Sequence, residues 1–278
     1  SSYPVLMENA DKGNYDVHLW PEYGGSNVVL WFNQTWVGPE AEYFTDVNFR
    51  RAMSLAIDRE TINEVSFLGL AKPRNYMPAP GHPQHPGVKY ETLWATYEKD
   101  KAIEMLDEIL PNKNDDGHRL MANGDVLSIE IIMFEGYADW SDATEQVISD
   151  WDAVGVKATM RVGSRSNIGQ EWNANEAMVY NHPMDTAGFT FATAGPKSAF
   201  GGLQAPLWGE WFNTNGESGV KPPDKEIEIT EAHDLGAALP PDEANKLAQS
   251  IYAYHAEMQY GVSIVGLRPE SFVVSRDI

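Results

Sequence analysis

The chain contains no cysteine. Disulfide bridges, thiolate metal centres and cysteine nucleophiles are excluded together, although the compartment is not, since exported proteins without cysteine exist. Positive charge is scarce: 20 Lys and Arg stand against 41 Asp and Glu, a net charge of −21. That balance opposes phosphate backbones and anionic lipid, so no nucleic-acid partner is expected. No apolar run approaches the roughly 20 residues that a bilayer span needs. Any membrane attachment would have to come from a lipid anchor upstream of Ser1. The start shows neither an initiating Met nor a signal-peptide apolar segment, so Ser1 reads as a processed or cut end. The local signatures G-x-S-x-G, Gly-Lys-Ser/Thr and H-E-x-x-H are missing too, which points away from the common hydrolase and nucleotide-binding chemistries.

What is present suits an α/β layer structure. A length of 278 residues with 42% hydrophobic content can bury an ample core. Tyr15 to Trp20 and Asn27 to Asn33 read as strands, with Gly24-Gly25 turning between them. Thr45 or Asp46 can cap a helical pair running to about Phe67. Val47, Met53, Ala56 and Ile57 form its apolar stripe, with Arg50, Arg51 and Arg59 turned elsewhere. A Pro- and Gly-rich loop follows, from Gly69 to Gly87. Residues 97–109 read as a second amphipathic helix, stopped by Pro111. Val126 to Phe134 is the clearest strand. A helix capped by Ser141 or Asp142 runs to Val154 and ends at Gly155, and Val156 to Val162 is a strand. A helix near Ile168 to Ala174 and a short strand over 177–181 come next. Residues 186–223, rich in Gly and aromatics, read as a long binding loop. Pro240 to Met258 is a final helix, and Gly261 to Val274 returns as strand. Strands alternating with helices predict a mixed α+β fold around a parallel or mixed sheet, one domain over residues 1–278.

Nine tryptophans are many for one domain. Trp208 and Trp211 sit three apart in the long loop with Asn213 beside them, and flat aromatic faces next to an amide suit sugar rings or peptide side chains. Trp31, Trp94 and Trp151 fall on apolar faces and are expected in the core. Glu135, Tyr137 and Trp140 follow the carboxyl end of the Val126 to Phe134 strand, where open α/β sheets place ligands. An aromatic-plus-carboxylate set suits a neutral or polyhydroxylated ligand better than an anion. Tyr180 and Asp185 lie at the next such strand end, Asp185 as a ligand carboxylate or as a turn cap. His82 and His85 lack a completing ligand set, and the calcium-like run from Asn112 has Asn123 where a bidentate Glu belongs, so neither predicts a metal site and no cofactor is expected. A pair of carboxylates among aromatics would be the signature of a carbohydrate-acting hydrolase, the alternative from a different functional class.

Residues 44–80, FTDVNFRRAMSLAIDRETINEVSFLGLAKPRNYMPAP, carry a more specific signal. The order Asp, Val, Arg, Ala, then Ala-Ile-Asp-Arg, then Gly and a Pro-rich loop resembles family 5 bacterial extracellular solute-binding proteins, the oligopeptide, dipeptide and nickel receptors of ABC importers. The helix around Asp100 to Leu106, the turn Asp115-Asp116-Gly117 and the segment QVISDWDAVGV (146–156) are similar to later pieces of that family in the same order. The resemblance implies one lobe of a type II periplasmic-binding-protein-like fold, the C-terminal lobe of a two-lobed receptor whose N-terminal lobe is absent. It implies a periplasmic or extracytoplasmic location, free or held by an upstream lipid anchor, with ABC permease subunits as partners. Hinge closure would trap an oligopeptide, or in the alternative an oligosaccharide. By position Asp185 resembles the family's acid that pairs with a peptide amino terminus. Tyr180 stands near an Arg place and Pro183 where a Trp is usual, a departure that weakens the peptide pocket. The expected ligand contacts are Trp208, Trp211, Asn213, Tyr180, Asp185, Glu135, Tyr137 and Trp140.

Overall fold

Asp46 and Asp58 start two helices because each side chain accepts a backbone N–H that the first helical turn leaves open, from Asn48 at 2.8 Å and from Thr61 at 3.1 Å. The computed structural model describes residues 3–22, 24–184 and 201–277. The helices are α1 (Tyr3–Glu8), α2 (Ala41–Thr45), α3 (Val47–Leu55), α4 (Arg59–Phe67), α5 (Lys99–Ile109), α6 (Ala138–Asp152), α7 (Arg165–Asn173), α8 (Gly201–Gln204), α9 (Pro206–Asn213), α10 (Asp224–Gly236) and α11 (Pro241–Met258). The strands are β1 (Tyr15–Trp20), β2 (Val29–Phe32), β3 (Lys72–Pro73), β4 (Ser128–Phe134), β5 (Lys157–Gly163), β6 (Val179–Asn181), β7 (Gly261–Ser263), β8 (Val265–Gly266) and β9 (Glu270–Ser275).

Five strands form the central sheet in the order β5-β4-β6-β2-β7. β4 runs parallel to β5 and β6, and β2 runs antiparallel to β6 and β7, so the sheet is mixed as expected. Register decides where the parallel strands stop. Phe134 pairs with Gly163, and Ile132 pairs with Tyr180, so β4, β5 and β6 end together at one edge. β1 and β9 form a separate antiparallel ribbon, which joins the two ends of the described chain from Tyr15↔Ser275 to Trp20↔Glu270.

The core lies between the sheet and its helices. All four residues of β2 are buried, and Trp31 and Trp151 are both fully enclosed. Their indole N–H groups donate to the carbonyls of His182 and Met53 at 2.9 and 3.0 Å, so neither polar atom is stranded. Trp94 differs from expectation. It is half-buried in a turn at φ 59°, packed on the core edge with Arg51 at 4.6 Å from its ring centre.

Arg50 and Arg59 also depart from the helical-wheel expectation. Both are buried rather than turned outward. Arg50 donates to the carbonyls of Phe44 and Met258, and Arg59 to those of Ser54 and Ser263. Each guanidinium thus satisfies carbonyls from segments distant in sequence, which a helical wheel cannot show. Desolvation lowers them to about 10 and about 9, still charged at neutral pH.

Several helix assignments change, α1 and α8 being further helices that the sequence did not suggest. α6 begins at Ala138, before the expected Ser141 cap. Residues 206–213 are helical, not loop, because Pro206 opens the first turn and Trp208 and Phe212, four apart, bury one face. α10 carries no apolar stripe to betray it: its buried residues are Glu226, Thr230, His233 and Gly236, whereas Leu235 is 65% exposed. Its fully buried contacts are largely polar, with Ile229 half-buried at the core edge. The Glu226 carboxylate accepts from Tyr254, Tyr260 and Gln204 at 2.5, 2.9 and 2.9 Å.

Gly155 ends the α6 segment at φ +85°, and an added Cβ would lie 2.7 Å from the Gly117 carbonyl. Its own carbonyl accepts from Arg119 N at 2.8 Å, so the backbone cannot retreat without loss. Gly155→Ala is expected to cost roughly 1–3 kcal/mol, measured as a lower urea midpoint at unchanged m.

Candidate functional site

Three strand ends build the site. β4 stops at Phe134, and the chain turns through Gly136 (φ +102°) before α6 starts. The turn sets Tyr137 face to face with Trp140, ring centres 3.9 Å apart and 13° from parallel. Phe134 meets both edge-on, at 5.3 and 5.7 Å. Trp140 is buried beneath, while Tyr137 is 39% exposed and leaves a face open. β5 stops at Gly163, and Ser164 caps α7 by accepting from Asn167 N. This places the Arg165 guanidinium over the Phe134 ring at 5.1 Å. β6 stops at Asn181, whose buried amide donates to Thr144 Oγ1. His182 follows, its ring 5.1 Å from Tyr180 and 5.8 Å from Phe134. The Pro183 carbonyl lies 2.9 Å from His182 Nδ1, which places a proton on that nitrogen.

Phe134, Tyr137, Trp140, Arg165 and His182 wall a cavity of about 320 Å³ that Glu22, Asn27, Pro183, Arg268 and Glu270 complete. Arg268 is held by Asp139 in the first turn of α6. A second cavity of about 480 Å³ adjoins it, with His182 lining both. Trp172 and Tyr180, 5.2 Å apart, form one aromatic wall, and Pro206, Glu210 and Asn213 of α9 form another side. The Trp172 indole donates to the Gly202 carbonyl at 2.8 Å and ties α7 to α8. Burial pushes the Tyr180 phenol up to about 12, against the pull of nearby Arg165, so it is a neutral hydrogen-bonding group at physiological pH.

The expected contact residues therefore divide. Tyr137 and Trp140 line the first cavity, Tyr180 and Asn213 the second. Trp208 is 7% exposed and packs edge-on against Tyr260 at 6.0 Å; it plugs a small apolar cluster and lines neither cavity. Trp211 packs on Phe212 at 5.2 Å, also outside both cavities. Glu135 is exposed and lines neither cavity, its backbone N–H bound to the Gly163 carbonyl. Asp185 lies outside the described residues.

Sequence reasoning missed Arg165, His182, Trp172, Arg268 and Glu210. The strand-end rule that found Tyr137 would have found Arg165, two residues past β5, had it been applied to that strand as well. Arg165 and Arg268 also add positive charge to a cavity whose local sequence suggested only aromatics and a carboxylate. The His pair of the Pro-rich loop is otherwise engaged. His82 and His85 accept backbone N–H groups at Nδ1, and His85 Nε2 meets Glu91 at 2.8 Å. No cluster of three or more metal-ligating side chains occurs among the described residues. Asn114 Oδ1 accepts from the N–H groups of Asp116 and His118, which closes a hairpin turn.

A mixed sheet flanked by helices, with cavities at the ends of its parallel strands, defines one lobe of a periplasmic-binding-protein fold. Residues 2–208 match the bacterial extracellular solute-binding proteins, family 5 (middle region), and the chain belongs to that family. Among solved structures it is similar to an oligopeptide-binding protein OppA (TM-score 0.83, 26% identity), with 99% of this chain and 46% of that one covered. It is similar in fold to MelB of Agrobacterium fabrum C58 in complex with stachyose (TM-score 0.76, 13% identity, 99% and 43% covered). NikA of Brucella suis in complex with Fe(III)-EDTA also shares the fold (TM-score 0.72, 17% identity, 98% and 50% covered). The chain thus spans about half the length of these relatives or slightly less. No curated protein matches it in sequence. Among the described residues no helix is long and apolar enough to cross a membrane.

Proposed function

We propose that this chain is the C-terminal lobe of an extracytoplasmic receptor that captures oligopeptides between two lobes and delivers them to an ABC permease. The observation that carries the reading is the pair of adjoining cavities at the ends of β4, β5 and β6, joined at His182 and lined by aromatic faces. A chain of linked units would occupy both, one unit in each. Family membership and the likeness to an oligopeptide-binding protein support the ligand class. A second lobe closing over this edge would desolvate the ligand, and only the closed form would present the permease-binding surface. The role is capture, not catalysis.

One observation favours an oligosaccharide instead. The open face of Tyr137, backed by Trp140 in a parallel stack, is a flat platform of the kind that sugar rings cover. The fold is shared with a stachyose-bound protein.

Thermal-shift and calorimetric titration with di- to octapeptides and with neutral oligosaccharides tests both readings. At least one series is expected to raise the melting temperature. Tyr137→Ala is expected to weaken that ligand about tenfold, near 1.4 kcal/mol. A flat response to both series would reject the cleft as a binding site.

A further inference from the structure

We propose that α8 and α9 act as a lid: they lift from the body of the lobe as one unit and open the second cavity, and the hydrogen bond from Gln204 to Glu226 is the catch that keeps them seated. The proposal rests on the cleft reading above and adds a moving part to it. Gly202 and Leu203 of α8 and Pro206, Gly209, Glu210 and Asn213 of α9 line that cavity. Only Ala205 separates the two helices, so what moves one moves the other.

The seat of this wall differs from the rest of the interior. Ala205, Trp208 and Tyr260 form a small apolar cluster apart from the main core, and Leu203 is half-buried at that core's edge. Beneath the wall runs a closed polar ring. The Gln204 carbonyl accepts from Gln34 N at 2.8 Å, and Gln34 Oε1 accepts from Arg50 at 3.1 Å. The Arg50 guanidinium lies 4.7 Å from the centre of the Tyr260 ring, whose hydroxyl donates to Glu226 at 2.9 Å. Gln204 Nε2 completes the ring by donating to the second Glu226 oxygen, also at 2.9 Å. All five residues are buried, and of the five only Gln204 belongs to the wall. Water can replace such hydrogen bonds when the wall lifts, whereas it cannot replace apolar packing, so this unit opens at lower cost than the core. Lifting also hydrates Gln204 Oε1, which is buried without a hydrogen-bond partner among the described residues. Trp172 Nε1 on the Gly202 carbonyl, at 2.8 Å, and Leu207 N on Thr35 Oγ1, at 3.4 Å, also cross the seat.

The chain has no cysteine, so a single introduced thiol reports opening at its own position. Ala205 is fully enclosed in the seat, and Ala143 of α6 is fully enclosed in the core. In the full chain under native conditions, Ala205→Cys is expected to react with N-ethylmaleimide at least about tenfold faster than Ala143→Cys, which global unfolding alone exposes. Adding Gln204→Ala should raise the Ala205→Cys rate about tenfold more and leave the Ala143→Cys rate within about twofold. Glu226→Gln is the conservative control. With the Gln204 amide turned over, its Oε1 can accept from the new amide, and the Ala205→Cys rate should stay within about threefold. Hydrogen exchange of the unmodified chain gives the same comparison without a substitution: α9 amides should exchange together, and faster than those of α3 and α6. Equal labelling at the two positions, or α9 amides as slow as those of α6, overturns the lid. A Gln204→Ala rate equal to the parent's overturns the catch. These rates need no ligand, so their failure is distinct from a failure of the cleft reading. Any of the di- to octapeptides or neutral oligosaccharides that raises the melting temperature is expected to slow Ala205→Cys labelling about tenfold near saturation, and an unchanged rate would mean that the wall does not close over it.

Discussion

Replacing Trp151 with alanine is expected to cost about 3–5 kcal/mol, the range for deleting a large aromatic from a close-packed interior. The side chain projects from α6 with no solvent exposure and lies 5.9 Å, ring to ring, from Phe32 of β2. Its indole N–H also donates to the Met53 carbonyl of α3 at 3.0 Å, so one residue joins the sheet to two helices. Truncation leaves a void and a buried carbonyl without its donor, and the two costs fall on the same site. Since a whole domain is stable by only about 5–15 kcal/mol, the variant should be close to unfolding at ambient temperature. Trp151→Phe keeps most of the volume and loses the hydrogen bond, and should give back more than half of the stability. Urea denaturation of both variants measures the split. A loss below about 1 kcal/mol for the alanine variant would mean that the core is not organised around this residue.

The second large effect is acid lability centred on His255. This side chain of α11 is 1% exposed, between the rings of Tyr76 at 6.2 Å and Tyr260 at 6.1 Å. Burial, with the charge of His233 adding to it, lowers its imidazole from 6.5 to about 3. Well above pH 6.5 the group is neutral whether folded or not and contributes no pH dependence. Between 6.5 and about 3 the unfolded chain takes up a proton that the folded chain refuses, so stability falls as pH falls. From pH 6.5 to 4 the loss should reach about 3 kcal/mol, at about 1.4 kcal/mol per pH unit. Glu226 acts in the opposite sense. Burial raises its carboxyl above 4.5 despite the hydrogen bonds from Tyr254, Tyr260 and Gln204. The folded state therefore holds that proton longer, and this contribution is present in acid and lost as pH rises above 4.5. His255→Gln should flatten the acid limb of a urea-stability profile, and Glu226→Gln should steepen it. Parallel profiles for wild type and His255→Gln would place the acid sensitivity elsewhere.

The parts of the fold legible in the sequence were those written locally. The caps at Asp46 and Asp58, the apolar run of β4 and the positive φ of Gly155 are local features, and the structure has them. The order of residues 44–80 was enough to indicate the family. Tyr137 and Trp140 were found because a strand end is visible in sequence. α9 was hidden by its glycine-rich surroundings, and α10 by its polar buried face. Trp208 looked like a binding platform until Tyr260, 52 positions later, proved to be its neighbour.

The sequence by itself thus determined the layer class, most of the strands and helices, and the family, because periodicity, caps and turn residues are properties of short stretches. Tertiary structure alone decided that Arg50 and Arg59 lie inside, that Glu226 is buried among phenols, and that Arg165 and His182 face one cavity. Burial and charge pairing depend on which distant segments meet, and that is set by sheet order and register.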